Sequence, residues 1–273
     1  MSRRTLTLIL AAVLALAASN AYAARGSTTY PNSMDALGDS ITRGFNTCSF
    51  PFTDCTQNSW ATGTSSTVNS FYSRLLKLNR NINGRNYNDA VSGAKMTDLP
   101  GQASNAVSRG AQLVTIDMGS NDACTSSVST MTTVADYQSQ FTAAMNTLTS
   151  GLPSAQIRVG SLPDAYQLWV LFHTNSSAVN TWNSFGICQS LLANATSTAQ
   201  AEVDRRAQVR QREIDFNSVL QSVCAQYTQC KFDNNAGFNT AFKTTDVSTR
   251  DYFHPSVSGQ ALIASTEWPV IGY

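Results

Sequence analysis

The run Leu113-Val114-Thr115-Ile116-Asp117-Met118 is apolar at four of its six residues and ends directly on Gly119. A stretch that short, rich in β-branched residues and stopped by a turn former, reads as a strand buried on both faces. Shorter relatives of it recur along the chain. Met34 to Leu37 leads into Gly38, a weaker candidate spans Tyr87 to Val91, another runs from Ile157 to Leu162, and a last one is Lys231-Phe232. Between them lie segments with helical spacing. Val68, Phe71, Tyr72, Leu75 and Leu76 share one face, with Asn83-Gly84 marking the exit. A helix is expected around Pro100 to Ser108. Val134, Tyr137, Phe141, Met145 and Leu148 make an amphipathic helix stopped by Gly151 and Pro153, Ala201 to Gln226 forms a long one, and Ser256 to Trp268 a final one. Residues 163–194 break the alternation and read as irregular. Doubly covered strands alternating with helices predict an α/β fold, a three-layer α/β/α sandwich around a central parallel sheet.

In such sheets the ligand crevice lies at the carboxyl ends of the strands. Ser40 follows the first strand, Gly93 the second and Asn121 the third, so all three are expected at one edge. The segment Asp251-Tyr252-Phe253-His254 then supplies an imidazole and a carboxylate. A hydroxyl is a weak nucleophile at neutral pH and needs a base within hydrogen-bond reach, with a third group to hold that base in the right tautomer. Ser40, His254 and Asp251 fit those roles. His173, the other histidine, has no carboxylate three residues before it and reads as a wall or surface residue. Asp39, Asp122 and Asp164 all follow strand ends, where carboxylates cap exposed backbone donors.

The strings Gly38-Asp39-Ser40-Ile41, Gly119-Ser120-Asn121-Asp122 and Asp251-x-x-His254 resemble, in order, blocks I, III and V of the SGNH (GDSL-type) ester hydrolases. Val91-Ser92-Gly93-Ala94 fits the glycine of block II, with Gly101 as the alternative. The resemblance implies a flavodoxin-like fold and acyl transfer through Ser40. It also implies an oxyanion hole made by the backbone N–H groups of Ser40 and Gly93 and the side-chain amide of Asn121. Tyr166 and Trp169, just after the fourth strand, are candidates for substrate binding, with a buried helical segment over Tyr166 to Phe172 as the favoured alternative. Many exported members of the family cleave lipid or simple acyl esters, so a lipase, phospholipase or carboxylesterase is expected. A carbohydrate O-deacetylase is the alternative within the enzyme class, and a non-catalytic secreted binding module the alternative outside it; such a module would be expected to have lost a triad member, and none is missing.

Spacing excludes several other chemistries. No two glycines stand four, five or two residues apart, which removes the Gly-x-Ser-x-Gly elbow, the phosphate-cradling loop and the dinucleotide fingerprint. With two histidines and no cysteines three apart, no metal or other cofactor is expected.

Met1 to Ala23 has the order of a secretory signal peptide: Arg3 and Arg4, an apolar run from Leu6 to Ala18, then Ala21-Tyr22-Ala23 before the cut. The run falls short of the roughly 20 residues that span a bilayer, so a secreted, extracellular protein without membrane insertion is expected, with residues 24–273 as a single domain and as a monomer. Cleavage takes Lys+Arg from 18 to 16 against 17 Asp+Glu, moving the net charge from +1 to −1. That balance argues against nucleic acid as a partner. Six cysteines in an exported chain imply disulfides, and about 15 pairings are possible. Proximity favours Cys48 with Cys55 and Cys224 with Cys230, leaving Cys124 for Cys188. Asn175-Ser176-Ser177 and Asn194-Ala195-Thr196 match the glycosylation pattern.

Overall fold

The computed structural model describes Tyr30–Tyr273; the expected signal segment and its cleavage point lie outside the described residues. Five parallel strands are found there: β1 (Met34–Gly38), β2 (Asn86–Asn88), β3 (Leu113–Asp117), β4 (Gln156–Val159) and β5 (Cys230–Phe232), ordered β2-β1-β3-β4-β5. Ala36 sits in register with Asn88 on one side and Thr115 on the other. This is the doubly wound order. The chain leaves β1 toward one edge, returns to β3 and winds to the other, so the topological switch lies between β1 and β3.

Side-chain alternation along the strands separates two cores. Met34, Ala36 and Leu113 pack with Phe71 and Leu75 of α1 (Phe71–Leu78) and Ile263 and Ile271 of α9 (Val257–Ile271). Leu37, Val114, Ile116, Ile157 and Val159 face the opposite layer, built from α2 (Leu99–Arg109), α4 (Val134–Gly151) and α8 (Gln200–Cys224). Helix starts follow local chemistry: Ser70 accepts from the Ser73 N–H, Thr133 from Asp136 and Ser256 from Gly259. Gly110, at φ +64°, closes α2 in the left-handed conformation.

Three expectations change. The strand expected over residues 87–91 is the shorter β2, because Val91 turns outward, 56 % exposed, while its N–H still reaches the Gly38 carbonyl. The strand expected over residues 157–162 stops at Val159, since the Leu162 N–H is taken by the Asn217 side chain rather than by a neighbouring strand. The stretch 163–194, expected to be irregular, contains three helices: α5 (Tyr166–Phe172), α6 (Ser176–Phe185) and α7 (Gln189–Leu192). Asn175 caps α6 by accepting from Ala178, and Gly186 ends it at φ +62°. Residues 47–67 remain largely loop, with one turn of 3₁₀ helix over Thr56–Asn58.

All six cysteines are paired: Cys48–Cys55, Cys124–Cys188 and Cys224–Cys230. Among the described residues no helix is long and apolar enough to cross a membrane.

Candidate active site

β1 ends on Gly38, whose φ of +152° and closeness to the Asp117 carbonyl leave no room for a side chain; a Cβ there would lie 2.4 Å from that oxygen. Both backbone polar groups of Gly38 are held by one buried glutamine, Gln102, which donates to its carbonyl at 2.9 Å and accepts from its N–H at 2.8 Å. Asp39 then folds back to accept from the Ile41 N–H at 2.9 Å. On the far side Gln260 of α9 donates to the Ile41 carbonyl at 2.8 Å while accepting from the Trp60 N–H. The turn bearing Ser40 is thus fixed from both helical layers.

His254 enters this turn from the other end of the chain. Its Nε2 lies 2.8 Å from Ser40 Oγ, and its Nδ1 lies 2.7 Å from Asp251 Oδ2. The other carboxylate oxygen of Asp251 accepts from the N–H groups of Phe253 and His254, both at 3.0 Å. Tyr252 bridges them at φ +53°, with its carbonyl accepting from Trp182 Nε1 at 3.1 Å. Burial pushes the Asp251 carboxyl upward, but the hydrogen bond and charge of His254 and the two backbone donors outweigh it and hold the group below the usual carboxylate range. Asp251 is therefore ionised and oriented. The imidazole is held between two rings, Phe45 at 4.8 Å and Phe253 at 5.0 Å.

Asn46 completes the arrangement and was invisible in the sequence. Its Nδ2 donates to Asp251 Oδ2, the oxygen that faces His254, while its Oδ1 accepts from the Phe52 N–H at 2.6 Å. It is 3 % exposed and adopts φ +63°, a conformation that asparagine tolerates better than most residues. Phe52 lies in the loop closed by Cys48–Cys55, and Arg250 donates to the Ser49 and Phe50 carbonyls of the same loop. The disulfide loop and the Asp251 segment are therefore one connected unit.

Asn121 opens the short helix α3 (Ser120–Ala123) after β3. Its amide donates to the Ala94 carbonyl at 3.0 Å and stands 3.5 Å from Asp39 Oδ2, so one of its two protons is only weakly held. Gly93 lies in the Val91–Ala94 turn at φ +85°, with open space where a side chain would project. Gly101, the alternative, falls inside α2. Asp122 ties these pieces together, accepting from the Met96 N–H at 2.8 Å and the Thr132 hydroxyl at 2.6 Å. Burial pushes the Asp39 carboxyl up to about 6, against the opposing pull of the Ile41 N–H and the His254 charge. Burial likewise raises Asp122.

Beside His254 lies a cavity of about 60 Å³, lined by Ile41, Leu168, Leu171, Phe242, Val247 and Phe253 among others, with Ser120 at its rim. Helix α5 lends it Gln167, Leu168 and Leu171, whereas Tyr166 and Trp169 are not among its lining. Those two rings turn toward α8, where Arg210 lies over Tyr166 and Arg206 over Trp169, and Trp169 Nε1 donates to the Ala195 carbonyl at 2.7 Å. Amphipathic spacing on a seven-residue helix explains the exchange, since residues 168 and 171 occupy the face opposite 166 and 169. His173 stacks on Trp169 at 4.4 Å, in the same outer cluster. No group of three or more histidine, cysteine or acidic side chains suited to a metal ion occurs among the described residues.

Similarity to known proteins extends to the fold and the family. No curated protein matches the chain significantly. Among solved structures, a candidate GDSL-like lipase from Parabacteroides merdae is 17 % identical with a TM-score of 0.51, covering 88 % of this chain and 95 % of its own. A family 3 carbohydrate esterase from Clostridium thermocellum is 12 % identical with a TM-score of 0.50, covering 87 % and 94 % respectively. These likenesses establish the shared fold. The profile of the GDSL-like lipase/acylhydrolase family matches residues 36–266, from β1 into the last helix, and the chain belongs to that family of ester hydrolases.

Proposed function

We propose that this protein is an exported serine hydrolase that cleaves acyl esters through an acyl-enzyme on Ser40. One observation carries the reading: an unbroken hydrogen-bonded chain from Ser40 through His254 to Asp251, joining residues 214 positions apart. His254 Nε2 takes the Ser40 proton as the hydroxyl attacks the ester carbonyl, and Asp251 stays ionised to stabilise the imidazolium. The Ser40 and Gly93 N–H groups and the Asn121 amide take the charge of the tetrahedral intermediate. Collapse expels the alkoxide, which receives the proton from His254, and water repeats the sequence to release the acid.

Export is supported by the order of charged, apolar and small residues over Met1 to Ala23 and by three disulfides, which persist in oxidising compartments. Lipid, simple acyl and carbohydrate esters all belong to this chemistry; the cavity beside His254 bears on the choice below.

Intact-mass analysis of the secreted protein after fluorophosphonate treatment tests both parts. A chain beginning at Ala24 with one adduct on Ser40, and a Ser40→Ala variant without adduct or esterase activity, are expected. A Ser40→Ala variant that keeps full activity contradicts the reading. Because the base must be neutral to accept a proton, kcat/KM is also expected to fall on the acid side as His254 becomes protonated.

A further inference from the structure

The cavity beside His254 has a composition and a boundary that say what it can hold. Its walls are mostly hydrocarbon, and two of its polar members, Gln167 and Asp164, are already engaged. Gln167 donates to the Thr240 carbonyl at 2.9 Å and accepts from the Phe242 N–H at 3.0 Å. Asp164 pairs with Arg210 at 2.9 Å and accepts from the Tyr166 N–H at 3.1 Å. A hydroxylated group entering here would lose its water without gaining equivalent partners, whereas an alkyl chain would lose only unfavourable hydration. The entrance fits an acyl group as well. His254 forms part of the wall, and Ile41 and Ser120 line it one residue away from Ser40 and Asn121.

We propose that this cavity receives the acyl chain of the substrate and restricts it to a short one, with the alcohol left outside. The assignment rests on Ser40 being the nucleophile. On a measure where one water-sized group occupies about 10–15 Å³, 60 Å³ gives room for about four to six non-hydrogen atoms. Butanoyl and hexanoyl chains fit, and a decanoyl chain does not. The limit is a thin partition. Leu171 and Val247 line both this cavity and a broad neighbouring groove of about 770 Å³, so the two side chains stand between a small space and a large one.

The test is kcat/KM on p-nitrophenyl acetate, butyrate, hexanoate, octanoate and decanoate with the secreted wild-type protein and with Leu171→Ala. Wild type should gain about fourfold per methylene up to butyrate or hexanoate, then lose tenfold or more by decanoate. Leu171→Ala opens the partition into the groove, so its hexanoate-to-decanoate ratio should drop at least fivefold toward unity. A wild-type profile that keeps rising to decanoate overturns the proposal, as does a folded Leu171→Ala protein that retains the steep fall. Should that variant not fold, Val247→Ala probes the same partition with the same two outcomes. Failure of the catalytic reading looks different: no fluorophosphonate adduct on Ser40 and no hydrolysis of any ester in the series. An adduct accompanied by a rising or level profile removes the cavity assignment alone.

Discussion

Each side chain around the imidazole has a separable task, and Asn46 has the most informative one. It donates to the same Asp251 oxygen that accepts from His254, so it helps decide where that carboxylate points. A hydrogen bond to a charged group contributes about 1.5–3 kcal/mol, so Asn46→Ala should lower kcat by about 10- to 100-fold with little change in KM. Fluorophosphonate labelling of Ser40 should slow in parallel, because both reactions need an oriented base. A kcat within a factor of two of wild type would show that Asp251 is held well enough without it. The contrast with the triad explains what the sequence can disclose. Ser40, His254 and Asp251 were legible because the chemistry demands those residue types and only two histidines compete. Asn46 was not, since an asparagine at positive φ in a loop looks the same whether it supports a turn or a catalytic carboxylate. Tyr166 and Trp169 show the converse: their position after β4 was legible, the face of α5 they occupy was not, and the shorter apolar residues 168 and 171 line the cavity instead.

Among the elements, the strand ends carry the site because backbone geometry there is tightly specified. Gly119 follows β3 at φ +136°, and a Cβ on it would lie 2.7 Å from the Tyr137 hydroxyl, which donates to the Met118 carbonyl. Gly119→Ala should cost about 1–3 kcal/mol from backbone strain, with more from the displaced tyrosine. A lowered midpoint in urea together with reduced kcat, as Asn121 shifts, is the expected outcome; unchanged stability would mean that α4 moves aside freely. Strands were legible where the apolar run was long, as in β3. Of the two edge strands, β5 was legible as Lys231-Phe232, whereas the bounds of β2 were not: it is only Asn86–Asn88 and gains its place from pairing with β1 rather than from its own composition. The two helices between residues 176 and 192 escaped for a related reason. At four to ten residues each they offer too few turns to set a period, and the Asn175 cap is indistinguishable by sequence from a glycosylation acceptor.

At the scale of the molecule, burial of acids sets the response to pH. Desolvation pushes Asp35 up to about 8, assisted by Asp89 and opposed by Arg109, and drives Asp117, Glu213 and Glu267 well above the ordinary carboxylate range. The folded state therefore binds protons that the unfolded chain releases at about pH 4. Between about pH 4 and 8 the folded protein holds more protons, so stability should fall as pH rises through that window. Below it the sign reverses, because Asp251 and Asp89 are held low and their contribution is lost on protonation. Thermal melts should give a higher Tm at pH 5 than at pH 8; the opposite order would mean that these carboxyls are solvated or paired in solution. The catalytic requirement for a neutral His254 runs against this trend, so the conditions for greatest durability and greatest turnover should not coincide.

Because Ser40 sits behind the first strand and His254 just before the last helix, hydrolytic power cannot arise from any early piece of the polypeptide. A partly synthesised chain that lacks the tail would hold Ser40 without its base or carboxylate and would be expected to cleave no ester. Turnover is thus a report on the whole chain having folded.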